Sequence, residues 1–308
     1  MKLPLPGRRK TFKMHPPTSH CRRVFGIAAL GLVFALAGGN APQLGAQLAE
    51  SRPADPSAKM DTRAPSTAFD EELRKRLLPL YGWVLVARGG VTPPPDVLFA
   101  DEDAVALWQA GVRFERAELG GITVELQAPA LQALLNARAE VRKLRLDITP
   151  RAADAARRNY ADTVKLWQSR VHPGLRHWVG KGRLTRQEAR RIRALPPREQ
   201  VPEILRLEDD GLFFSTDRTK SIVYSVAAPG ASQHISMLAF DIKEHGHREV
   251  RATLARHGWF QTVPSDLPHF AFLGCGEEEL PALGLKKLTQ GSRMFWVTEA
   301  FIVPSRTR

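Results

Sequence analysis

Two short, mainly apolar segments in the C-terminal half of the chain each combine an imidazole with a carboxylate. Residues 231–241 contain His234 and Asp241, and the second segment contains Asp266 and His269. Both segments are apolar enough to form strands or strand edges in a core, where a charge without a partner is costly. A divalent metal is such a partner, because histidine nitrogen and aspartate oxygen are both good zinc ligands. The sequence therefore predicts a metal site, for which the rest of the chain serves as scaffold.

The positive charge of the chain is concentrated at its N-terminus. The 308 residues carry a formal net charge of +13, and seven of these charges belong to Lys and Arg within residues 1–46, which contain no acid. A strongly basic protein is a candidate nucleic-acid binder. Here only +6 remains for the rest of the chain, so we expect no nucleic-acid partner.

Residues 1–46 have the features of an export signal. A basic region ends at Arg22-Arg23, and residues 25–37 form an uncharged apolar run, shorter than the roughly 20 residues that span a bilayer. Small residues at 44–46 predict cleavage before Gln47, and the arginine pair resembles a twin-arginine signal. We expect a periplasmic or extracellular protein that meets the membrane only through this segment. An uncleaved membrane anchor is the alternative.

The remaining residues divide into a linker and one folded domain. Residues 47–68 are rich in Pro, Ser, Ala and charge and are predicted to be a disordered linker. Helical and strand patterns alternate with short connections along residues 69–308. We therefore predict an α+β fold, with a mixed, mainly antiparallel sheet and flanking helices. A run of helical patterns predicts a helical insertion at about residues 155–207.

Local patterns predict individual elements of this domain. Residues 71–80 favour an amphipathic helix, Asp101 is a candidate N-cap, and residues 185–188 form a capping box. Apolar and β-branched runs predict strands, among them 83–87, 96–100, 122–126, 144–148, 212–215 and 222–226. His245 and His247 lie in a polar turn and are predicted to be exposed.

The two metal segments resemble the zinc D-alanyl-D-alanine carboxypeptidase and dipeptidase family of the vancomycin-resistance type. Ser232-x-His234, followed by Ala239 and Asp241, is similar to that family's S-x-H-x-x-G-x-A-x-D signature. The segment from Asp266 to Phe270 is similar to its E-P-W-H-F segment. The likeness covers roughly residues 130–152 and 212–274.

The resemblance implies a role for each matched residue. The zinc ligands would be His234, Asp241 and His269, and Asp266 would be the catalytic carboxylate. The catalytic arginine that follows a strand in the family would be Arg151, after residues 148–150, with Arg218 as a rival. Ser232 and Arg218 are the candidate substrate-binding residues.

Three positions depart from the family pattern. Asp266 replaces a glutamate and is one methylene shorter, Pro268 replaces a tryptophan, and Met237 replaces a glycine. The aspartate brings the proton-transfer step into question. The methionine is expected to add bulk near the substrate groove.

The resemblance implies an exported zinc metallopeptidase that hydrolyses peptidoglycan stem peptides containing D-amino acids, with a zinc-activated water as the nucleophile. One alternative is a non-catalytic, zinc-containing protein that binds or regulates the cell wall. Another is a polyanion-binding module that uses Arg190, Arg191 and Arg193 of the basic helix. No protein partner can be inferred.

Overall fold

A computed structural model describes residues 68–298, with side chains from residue 71 onward. The predicted signal segment, residues 1–46, and all but the last residue of the predicted linker lie outside this part of the chain. Export and the domain boundaries therefore stay predictions. Within the described residues, we find no helix long and apolar enough to cross a membrane.

Helices and short antiparallel strands follow one another along these residues, which confirms the α+β class. The helices are α1 (Ala68–Tyr81), α2 (Glu102–Ala110), α3 (Ala128–Arg142), α4 (Tyr160–Gly180), α5 (Arg186–Ala194), α6 (Pro197–Asp209) and α7 (Arg248–Arg256). The strands are β1 (Phe114–Leu119), β2 (Ile122–Gln127), β3 (Ala239–Asp241), β4 (Trp259–Phe260), β5 (His269–Phe272), β6 (Leu285–Gln290) and β7 (Arg293–Thr298).

The strands form three small sheets. β1-β2 and β6-β7 are hairpins, and β5 lies between β3 and β4 in a three-stranded sheet. All these pairings are antiparallel. The largest hydrophobic cluster covers the three-stranded sheet, where Phe240, Trp259 and Phe270 pack with side chains of α3 and α7.

A second hydrophobic cluster is built mainly from helices. Trp167, Val171 and Leu175 lie on one face of α4 and pack with Ile204 of α6 and with Phe214. Each such buried side chain contributes about 1.5 to 3 kcal/mol relative to an exposed one. The helices α4 to α6 therefore belong to a substantial core of their own.

Helix starts follow the capping patterns of the sequence. The Asp101 side chain accepts a hydrogen bond from the Ala104 N–H at the start of α2. Thr185 and Glu188 form the predicted capping box at the start of α5. These side chains satisfy backbone N–H groups that have no partner inside the helix.

Five segments predicted as strands are not strands. Residues 83–87 and 222–226 instead overlap the 3-10 helices Gly82–Val86 and Ile222–Tyr224. Residues 96–100, 144–148 and 212–215 have no strand pairing. Several of their apolar side chains are buried nevertheless, for example Trp83, Phe214 and Ile222. Their patterns indicated burial, which a loop can also provide.

Candidate metal centre

The central strand pair brings two of the three proposed ligands together. Asp241 ends β3 and His269 begins β5, and the antiparallel register places them directly opposite each other. Opposed residues of such a pair have neighbouring side chains. His234 comes from the 3-10 helix Gln233–Ser236, which precedes β3. The Ser232 hydroxyl caps this helix by accepting the His234 N–H at 3.3 Å.

The three side chains place one polar atom each at the corners of a nearly equilateral triangle. His234 Nε2 lies 3.2 Å from His269 Nδ1 and 3.3 Å from Asp241 Oδ1, and His269 Nδ1 lies 3.2 Å from Asp241 Oδ1. A tetrahedral zinc site with bonds of about 2.0 to 2.1 Å separates its ligand atoms by about 3.3 to 3.4 Å. The triangle therefore fits three ligands of one zinc ion, and all three residues are buried.

Each imidazole uses its other nitrogen as an outward donor. His234 Nδ1 lies 2.8 Å from the Ala156 carbonyl oxygen, and His269 Nε2 lies 2.7 Å from Gln233 Oε1. Neither oxygen carries a proton, so each ring must donate. In the neutral rings the lone pairs of His234 Nε2 and His269 Nδ1 then face the centre of the triangle. Such outward hydrogen bonds fix the tautomer and orientation of metal-binding histidines.

The electrostatics of the site favour neutral histidine and ionised aspartate. Burial lowers the pKa of His234 below its ordinary value. Burial alone would raise the pKa of Asp241, but either imidazole, when protonated, attracts the carboxylate, and this attraction holds that pKa well below its usual range. The centre therefore presents two imidazole lone pairs and one carboxylate, the donor set of a zinc site.

The loop that precedes α4 is hydrogen-bonded to the segments that carry the triangle. Backbone hydrogen bonds join Arg151 N–H to Asp241 O, Asp241 N–H to Ala155 O, and Arg158 N–H to His234 O. Arg158 Nη2 also donates to Asp241 Oδ2 at 3.0 Å, and its side chain is only 13% exposed. The arginine thus holds the carboxylate oxygen that does not face the triangle.

The sequence reasoning missed these outer contacts. Arg158 and the Ala156 carbonyl lie more than 70 residues from their partners, and no spacing pattern connects them. Gln233 could have been found, because a buried amide directly before His234 needs a partner. A polar residue beside a predicted ligand was the available signal.

The triangle lies in the wall of an open cleft with a volume of about 640 Å³. His234, Asp241 and His269 all contribute to its lining, together with Ser232, Asp266 and Arg151. The Asp266 carbonyl accepts the His269 N–H at 3.1 Å in a tight turn, which fixes the backbone of Asp266 just before the start of β5. Six of the seven residues selected from the sequence thus line one cavity.

Arg218 is the exception. It does not line the cleft. Its positive charge lies close enough to His177 of α4 to contribute, after burial, to lowering the pKa of that histidine. Its φ of +59° places it in the left-handed region. Of the two arginines chosen from the sequence, only Arg151 lines the cleft.

Met237 stands where the resembled signature has a glycine. Its φ of +56° lies in the left-handed region, which suits glycine best. The Met237 side chain is fully buried and does not line the cleft. The expectation that it adds bulk near the groove is therefore wrong.

The two further histidines are not part of the triangle. His247 is exposed as predicted. His245 is half-buried instead, and its Nδ1 lies 3.2 Å from Arg293 Nη1. Burial and the positive charge of Arg293 lower the pKa of His245.

Comparison with known proteins gives one distant likeness. No protein-family model matches the chain, and no curated protein matches it. Among solved structures, the chain is similar to a variant of VanY, a D,D-pentapeptidase from a VanB-type vancomycin-resistance cassette, in complex with Zn(II). The match has 15% identity and a TM-score of 0.36, and covers 62% of this chain and 89% of that chain. Similarity this weak assigns neither a fold nor an activity.

Proposed function

We propose that the protein is an exported zinc metallopeptidase that hydrolyses peptidoglycan stem peptides containing D-amino acids. The observation that carries this proposal is the triangle of two imidazole nitrogens and one carboxylate oxygen in the wall of an open cleft. Three protein ligands and an open side are typical of catalytic zinc, whereas structural zinc has four protein ligands. Export is proposed from residues 1–46 alone.

His234, Asp241 and His269 would hold the zinc, which when bound would polarise the peptide carbonyl and lower the pKa of a water molecule. Asp266 would accept a proton from the attacking water and pass it to the leaving amine. Arg151, which is exposed and lines the same cleft, would oppose negative charge on the carbonyl oxygen. The Ser232 hydroxyl remains able to donate to a bound peptide.

The substrate class rests on the sequence signatures around His234 and His269. A cleft of about 640 Å³ is large enough for a short peptide. Stem peptides lie outside the cytoplasm, where an exported enzyme would meet them.

Asp266 provides the test of catalysis. The zinc-loaded protein is incubated with a stem pentapeptide ending in D-Ala-D-Ala, and products are measured by mass spectrometry. We expect Asp266→Ala to lose at least about 100-fold in rate, because general acid–base catalysis contributes about 10² to 10⁴. Its zinc content should not change. Asp103→Ala, at an exposed position of α2 that does not line the cleft, serves as the matched control and should retain activity.

A non-catalytic wall-binding protein is the second candidate, and the shorter carboxylate at Asp266 is the observation that favours it. It predicts bound zinc and bound stem peptide without any product. Asp266→Glu separates the two cases, since an enzyme should stay active with the longer side chain. Cleavage by neither the parent nor this variant would overturn the peptidase proposal.

A further inference from the structure

The wall of the cleft formed by α4 and the following loops carries a second polar cluster. Arg170, on α4, and Lys220, Thr216 and Ser225 all line the same cavity as the metal triangle. Arg170 Nε donates to Ser225 Oγ at 2.9 Å. The Thr216 and Ser225 hydroxyl oxygens lie 3.1 Å apart. One guanidinium is thus held in place by a short chain of hydroxyl groups.

Arg170 differs from the arginines that stabilise the fold. Arg138 pairs with Asp147, and Arg157 pairs with Glu125. No carboxylate of the described residues lies within salt-bridge distance of Arg170 or Lys220. Arg170 Nε and Nη1 bond only to serine hydroxyls, which leaves Nη2 without a hydrogen bond inside the described part of the chain.

The acid that follows Thr216 in the chain does not pair with the cations of this cluster. Asp217 also lines the cleft, but its carboxylate accepts from the Ser215 hydroxyl and the Thr219 N–H. These hydrogen bonds lower the Asp217 pKa to about 2. Asp217 therefore stabilises the conformation of its own loop.

We propose that Arg170, with Ser225, Thr216 and Lys220, forms a subsite for a carboxylate of the bound peptide in the same cleft as the metal triangle. This inference rests on the proposed function, because it assigns the substrate class to the same cleft. A guanidinium recognises a carboxylate through parallel N–H donors, and Nη2 is the donor still available. The carboxylate could come from an acidic side chain or from the C-terminus, since both have the same chemistry.

Equilibrium binding tests the subsite without requiring turnover. The zinc-loaded full chain carrying Asp266→Ala is titrated by calorimetry with three peptides: a pentapeptide containing Glu and ending in a free carboxylate, its Glu-to-Gln counterpart, and its C-terminal amide. We expect one of the two neutralised peptides to bind about tenfold more weakly. The peptide that loses affinity identifies which carboxylate is bound.

Variants of α4 then assign this preference to Arg170. Arg170→Gln should abolish the tenfold difference. Arg170→Lys keeps the positive charge but not the parallel N–H donors of the guanidinium, and should retain part of the difference. Arg176→Gln, at an exposed position of the same helix, should leave the difference unchanged. Equal affinities for all three peptides in the parent, or an undiminished preference in Arg170→Gln, would overturn the inference. A protein that never cleaves but shows this preference would contradict only the proposed peptidase activity.

Discussion

His234 Nε2 and His269 Nδ1 lie 3.2 Å apart, although each ring gives its N–H to an oxygen on its other side. Two lone pairs therefore face each other, with the Asp241 carboxylate beside both. Such a cluster of acceptors is unfavourable in a buried site unless a cation lies between them. The spacing of the three polar atoms and the directions of the two ring N–H groups are thus independent observations that indicate a metal ion.

Arg158 is predicted to act as a positioning residue for the metal. It holds the outer oxygen of Asp241, and loss of such an outer contact typically lowers metal affinity by about 10- to 100-fold. We expect Arg158→Gln to show this loss in a competition titration against a chromophoric zinc chelator. Arg113→Gln, on an 84% exposed arginine, should bind zinc like the parent. Unchanged affinity in Arg158→Gln would rule out the positioning role.

Gln233 is predicted to set the tautomer of His269. Gln233→Leu removes the acceptor of the His269 Nε2–H, so its zinc affinity should fall by about tenfold or more. Gln233→Glu offers a stronger acceptor and should bind zinc at least as tightly as the parent. The same competition titration measures both. Equal affinities in the two variants would show that this hydrogen bond does not affect the metal.

The buried carboxyl of Glu208 is predicted to make the free energy of unfolding depend on pH. It is buried and accepts from the Phe214 and Ile222 N–H groups, and burial raises its pKa above the ordinary 4.5. A carboxyl with a raised pKa contributes stability below its unfolded pKa, and this contribution is lost as the pH rises through the folded pKa. Glu208→Gln keeps both accepted bonds but cannot ionise. Its free energy of unfolding in urea, relative to the parent, should therefore increase from pH 4 to pH 8. A constant difference would contradict this.

Gly174 is predicted to be required for packing of α4. A Cβ at this position would lie 2.3 Å from Phe214 Cδ1, so Gly174→Ala should destabilise the protein by about 1 to 3 kcal/mol. Gly180, in the same helix, has no atom within 4 Å of its Cβ position. Gly180→Ala should be neutral or slightly stabilising. Thermal unfolding of the two variants measures the contrast, and equal midpoints would show that the helix can shift to make room.

Sequence patterns predicted the helix starts well because capping is local. Thr185 and Glu188 are only three residues apart and satisfy each other's backbone groups. Strand patterns did less well. Residues 144–148 alternate like a strand, but Arg145 has a φ of +58° and lies in a turn. Pairing depends on a distant partner, which a local pattern does not contain.

In the metal site, too, the sequence predicted some features and missed those that depend on distant residues. The motif spacing selected His234, Asp241 and His269, and the structure brings their polar atoms together. The groups that orient them are separated by 78 residues for His234 and Ala156, and by 83 for Asp241 and Arg158. Those contacts follow from how the loop before α4 docks on the sheet. Local sequence patterns do not predict this docking.

Metal analysis of the purified full-length chain tests the central claim most directly. After equilibration with zinc and removal of excess ion, mass spectrometry of the metal content should find one zinc per chain. His269→Ala should retain far less under the same conditions, since it removes one of three ligands. Absence of zinc from the parent protein, or equal zinc in the His269→Ala variant, would contradict the account.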